Sequence, residues 1–170
     1  MPLKISFTAI ILYTLLATST AYSDEKYKVE ALWPLHIKAM NNQKSKVGDL
    51  LKLHTGSNLR ADLTDITNMQ RLLDNYIVDK KDTEILQAMG MALGDVMVKE
   101  LGMHWVIYED KIGRSKALQY QKTQHFLFPV TMLSRRAAGN APIDIQVFYD
   151  KAAKKMEPYL NSGPFIYYDK

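Results

Sequence analysis

Residues 82–110 read DTEILQAMGMALGDVMVKELGMHWVIYED. Ile85, Leu86, Met89, Leu93, Val96, Met97 and Leu101 recur at helical spacing, which predicts an amphipathic helix with one buried face. Gly90 and Gly94 stand four residues apart on that helix, where each costs about 1 kcal/mol against alanine. Close approach of another backbone would offset that cost. Gly102 stops the helix in the left-handed conformation that glycine favours. Beyond it the period falls to two, with His104, Val106 and Tyr108 facing one way and Trp105, Ile107 and Glu109 the other. A helix handing over to a strand across a glycine stop points to an α+β domain.

Downstream, Asp110-Lys111-Ile112-Gly113 has turn chemistry, and Ser115 to Tyr120 can return as a second strand. A third apolar run, His125 to Pro129, closes an antiparallel meander, and the missing donor of Pro129 ends it at Phe128. Val130 to Ala138 reads as a short helix stopped by Gly139-Asn140. Asp144 caps a last helix, with Ile143 and Phe148 as a staple across the cap and Ile145, Ala152 and Met156 on its apolar face. The aromatic tail from Pro158 to Lys170 is expected to dock on the domain.

Upstream, Asp24 to Glu30 is charged and expected to fray. Trp33-Pro34 opens a helix that ends near His54, with Ile37, Met40, Val47, Leu50 and Leu51 inward. A second helix is predicted from Thr64 or Thr67, where Thr67 and Gln70 have capping-box spacing. Its apolar face would run through Ile66, Met69, Leu72, Leu73, Tyr76 and Ile77. The expected fold is a single α+β domain over residues 24–170, a small three-stranded antiparallel sheet packed against several helices.

Residues 1–23 have the form of a secretory signal peptide: Lys4, an apolar run from Ile5 to Ala17, and small residues in Ala21-Tyr22-Ser23. The run is shorter than the roughly twenty residues a membrane span needs. The expectation is a periplasmic protein with no stable span once the signal is cleaved. Cleavage before Asp24 would remove one charge and leave a net +3, below what a dedicated nucleic-acid binder carries. The chain has no cysteine, which excludes disulfides, thiolate chemistry and cysteine-ligated zinc.

The stretch LQAMGMALGDVMVKELGMHWVIYEDKIGRSKALQYQKTQHFLFPVTMLSRR resembles the bacterial domain-of-unknown-function 3806 (DUF3806) family. The pattern is a glycine-bearing helix, a tryptophan strand, an Asp-x-x-Gly-Arg turn, an alternating strand, Phe-Pro, and a helix with paired basic residues. It falls at Gly90, Gly94, Gly102, Trp105, Asp110, Gly113, Arg114, Phe128, Pro129, Arg135 and Arg136, and extends from about Leu63 to Arg136. The resemblance implies an α+β domain and carries no activity with it.

Catalytic patterns are scarce. His104, Glu109, Asp110 and His125 do not have metal-ligand spacing, since His104 and Glu109 alternate to opposite faces. No serine has nucleophile-elbow context, and there is no phosphate loop or dinucleotide fingerprint. No cofactor is expected. The candidate binding surface is basic: Arg114, Lys116, Arg135 and Arg136, with Lys151, Lys154 and Lys155. Arg114 is expected to pair with Asp110 across the hairpin turn. The reading is a non-catalytic binding domain for a protein or an anionic envelope component. The alternatives are a hydrolase-like envelope enzyme, or an inhibitor or immunity-like partner of a toxin.

Overall fold

The computed structural model describes residues 27–160; the signal-peptide expectation and the tail beyond Leu160 lie outside them. Strand β1 (Tyr27–Ala31) and helices α1 (Pro34–Thr55), α2 (Leu63–Asp74) and α3 (Thr83–Leu101) come first. Strands β2 (Met103–Asp110), β3 (Arg114–Tyr120) and β4 (Phe126–Leu127) follow. A 3-10 turn (Pro129–Thr131) then leads into α4 (Met132–Ala138) and α5 (Ile145–Leu160). Among the described residues, no helix is long and apolar enough to cross a membrane.

The sheet is antiparallel, in the order β1-β2-β3-β4, and therefore has four strands rather than three. The added strand comes from the segment expected to fray. Tyr27, Val29 and Ala31 alternate with Lys28 and Glu30, and the charges hide the two-residue period. Pairing against β2 from Tyr27↔Asp110 to Ala31↔Val106 gives that segment its structure.

Helix α3 is the centre of the molecule, packed against α1, α2, α4, α5, the 3-10 turn and β2. Its middle, Ala88 to Gly94, is buried without interruption. That differs from the single buried face expected, and agrees with what a helix apolar on all sides implies. Leu86, Leu93 and Met97 on α3, and Leu51, Ile66, Met69 and Leu72 around it, are fully buried. Each such side chain contributes about 1.5–3 kcal/mol through removal from water. Gly102 ends α3 at φ 62°.

The glycines on α3 form a notch. A Cβ on Gly90 would stand 2.4 Å from the Pro129 carbonyl oxygen, and one on Gly94 would stand 2.3 Å from the Trp105 ring. Trp105 is fixed by its indole N–H, which donates to Asp95 Oδ1 at 2.8 Å, while Lys44 pairs with the other carboxylate oxygen.

Several local expectations change. Asp62, not Thr64 or Thr67, caps α2 by accepting from the Thr64 N–H at 3.0 Å. Gln70 is used elsewhere: its amide donates to the Ile143 carbonyl and its oxygen accepts from the Ile145 N–H, tying α2 to α5. Helix α2 stops at Asp74, so Tyr76 leaves the apolar face and stands 89% exposed. Helix α5 runs through Pro158 to Leu160, and the Tyr159 ring stacks on His125 at 3.7 Å.

Candidate functional site

Strand β4 is too short to cover β3. It pairs with Leu118 and Gln119 alone, so Arg114 to Ala117 have a partner strand on the β2 side only. Had the chain continued along β3 past Phe128, it would have covered that edge. Instead Pro129 and Val130 turn away into the Gly90 notch on α3. The divergence opens a hollow of about 470 Å³ between the β2–β3 hairpin and the start of α4.

Its polar lining is Asp110 from the end of β2, Arg114, Ser115 and Lys116 from β3, Gln87 from α3, Thr131 from the 3-10 turn and Arg135 from α4, three cations against one carboxylate. Gln87 lies one turn before Gly90 on the notch face of α3, which is the sequence signal that could have found it. Tyr108 and Phe128 line the hollow as well, their rings edge to face with centroids 5.3 Å apart. The Tyr108 hydroxyl is held above its ordinary pKa, by desolvation first and then by the neighbouring Asp110 carboxylate. That shift leads away from neutrality and keeps the phenol protonated.

The expected Asp110–Arg114 pair is not formed. Asp110 Oδ1 accepts from the Ile112 and Gly113 N–H groups at 2.8 and 3.1 Å, so its carboxylate is occupied in building the turn. Arg114 reaches across β2 to Glu30 on β1. Both side chains are about half exposed, and exposed pairs contribute about 0–1 kcal/mol. Glu30→Gln should therefore lower stability by less than about 1 kcal/mol in a denaturant melt. The same change frees the Arg114 guanidinium beside the hollow.

The other basic residues do not gather into one patch. Arg135 lines the hollow with Arg114 and Lys116. Arg136 turns the other way, its Nε donating to the Pro142 carbonyl at 3.0 Å on the approach to α5. Lys155 lies 3.4 Å from the Phe126 carbonyl of β4, and Lys151 and Lys154 are exposed on α5. A second hollow of about 410 Å³ contains Lys44, Arg60, Asp65 and Asp95. There Lys44 is matched by Asp95, and Asp65 accepts from the Arg60 and Ala61 N–H groups. In the first hollow, neither Lys116 nor Arg135 has an ion-pair partner among the described residues. Among those residues there is also no cluster of three His or carboxylate side chains placed to hold a metal ion.

Helices stacked over an antiparallel meander, with a basic recess where the last strand leaves the sheet, define an α+β domain. The chain belongs to the family described as Domain of unknown function (DUF3806), whose profile matches residues 65–149. The fold is similar to that of a crystal structure from Bacteroides thetaiotaomicron VPI-5482, with a TM-score of 0.69 at 18% sequence identity. The match covers 76% of this chain and 48% of that one, so this chain spans about half the length of the solved protein. At that identity the likeness shows the fold alone. No curated protein matches the chain.

Proposed function

We propose that the protein is an exported, periplasmic binding domain that takes an anionic group, carboxylate or phosphate, in the hollow beside β3. The observation that carries this reading is the convergence of Arg114, Lys116 and Arg135 on one recess, two of them without ion-pair partners among the described residues. Ser115, Thr131 and Gln87 add neutral hydrogen-bonding groups around the same space. A binding role is favoured over hydrolysis because the recess joins three cations with a single carboxylate, Asp110, which is already engaged in the turn, and no histidine lines it. Export rests on the form of residues 1–23.

The test is NMR titration of the protein with inorganic phosphate and with tricarballylate at low salt. Shifts should concentrate at Arg114, Lys116 and Arg135, and affinity should fall about tenfold for Arg135→Glu and again as salt is raised. Shifts confined to Lys151, Lys154 and Lys155, or none at all, would remove the hollow as the site.

A further inference from the structure

The hollow has a direction as well as a charge. In an antiparallel strand, successive residues turn their N–H and C=O groups to opposite edges. The Tyr120 N–H donates to the His125 carbonyl at 3.1 Å, on the β4 side of β3. Lys116 and Arg114, at even steps from Tyr120, therefore aim their backbone donors and acceptors at the same side. There β4 has already ended, so these groups have no ladder partner. The open edge from Arg114 to Ala117 is about 13 Å of strand.

The two faces of that edge differ chemically. Side chains alternate across a sheet, and paired residues share a face. Lys116, opposite Ile107, and Arg114, opposite Glu109, project toward the helices, where Arg135 and Gln87 border the hollow. Ser115, opposite Tyr108, projects to the other face, where the rings of Tyr27, Tyr108 and Phe126 cluster and Phe128 meets Tyr108. Phe128 is 36% exposed. A guest strand on this edge would meet cations with one set of its side chains and aromatic rings with the next.

We propose that the Arg114–Ala117 edge of β3 takes up an extended peptide segment that alternates acidic and apolar residues, adding it to the sheet as a further strand. The guest occupies the line that residues 129–131 would have followed had Pro129 not turned into the notch. Main-chain hydrogen bonds to Arg114 and Lys116 supply register, and its alternate carboxylates meet Arg114, Lys116 and Arg135. The occupant is a peptide rather than a polyphosphate or a glycan because an extended peptide repeats donor and acceptor at the spacing of the unpaired ladder groups while its alternate side chains reach the aromatic face. This deepens the proposed function and rests on the same hollow.

The experiment measures fluorescence anisotropy with a labelled peptide of alternating glutamate and valine. Its companion has the same side chains but backbone N-methyl groups at alternate positions on the pairing edge. The alternating peptide should bind the wild-type protein. Binding should weaken at least tenfold for the N-methylated peptide, and likewise for Lys116→Pro, which deletes the edge donor together with the ammonium, whereas Lys116→Ala, which keeps the donor, should weaken it less. If Lys116→Pro fails to fold, the N-methylated peptide alone decides. Equal binding of both peptides would overturn strand addition while leaving the anion site standing. The same holds for phosphate binding at the hollow with no binding of either peptide. Tight binding of polyphosphate, with peptide binding insensitive to N-methylation, would assign the hollow to a different occupant and overturn the proposal.

Discussion

Gly90→Ala should lower stability by about 3 kcal/mol, although alanine is the better helix former by about 1 kcal/mol. The sign follows from what the new methyl would touch. It would lie 2.4 Å from the Pro129 carbonyl oxygen and 2.7 Å from that of Val130, both backbone atoms that cannot rotate aside. Relief requires the 3-10 turn to lift off α3, and overpacking of that kind costs about 1–3 kcal/mol or more. Gly94→Leu should be worse, because Trp105 is anchored through Asp95 and the Pro129 ring closes the other side. Gly48 is the internal control. It sits mid-helix in α1 with nothing within 4 Å of an added Cβ, so Gly48→Ala should stabilise by up to about 1 kcal/mol. Urea melts of the variants check both signs, and an unchanged midpoint for Gly90→Ala would refute the notch.

Asp65→Ala should remove about 1–3 kcal/mol, because it takes away the acceptor of two partly buried backbone donors and leaves a void where a buried side chain stood. The carboxylate is 1% exposed and accepts from the Arg60 N–H at 3.0 and 3.2 Å and the Ala61 N–H at 2.8 Å. Ala61 is held at φ 55°, a conformation alanine rarely adopts, so the loop before α2 depends on this one side chain. Burial pushes the Asp65 carboxyl above its ordinary 3.8, against the pull of the Arg60 and Ala61 donors. A raised folded pKa makes the group's contribution complete below the unfolded value and progressively lost as pH rises through the folded one. The stability gap between wild type and Asp65→Ala should therefore widen as pH is lowered from neutrality toward 4. Paired melts across that range measure it, and a gap that narrows on acidification would reverse the assignment.

Much of the fold was legible because strong local signals met no competitor. The period of α3, its glycine stop and the switch to a two-residue period at Met103 are properties of consecutive residues. What was lost is non-local. Residues 27–31 alternate two charges, Lys28 and Glu30, with Tyr27, Val29 and Ala31, a period too short to stand out beside the charged stretch before it, and only the partner strand some eighty residues away makes them a strand. Gln70 looked like half of a capping box because nothing in its neighbourhood reveals that Ile143 and Ile145 will arrive.

The candidate site was visible as residue types and hidden as a place. Arg114 and Arg135 stood out as cations in the sequence, yet a tally of charge could not separate Arg135, which faces the hollow, from Arg136, which bonds Pro142. Nor could it show that the recess exists only because the chain leaves β3 at Pro129. The Asp110–Arg114 pair failed for a simpler reason. A carboxylate at the first position of a tight turn finds backbone N–H groups closer than any side chain.

The pairing of β1 with β2 has a consequence for how the molecule assembles. The β2–β3 hairpin closes through a turn of a few residues, whereas joining Ala31 to Val106 closes a loop of some 75 residues. On ideal-chain statistics that closure carries an entropy cost of about 4 kcal/mol. The outermost strand is thus the natural last arrival, zippered on after the helices and hairpin have condensed. Glu30 arrives with it and takes hold of Arg114. A ligand that claims the guanidinium would compete with the final step of folding, so occupancy of the recess and detachment of the first strand would be thermodynamically linked.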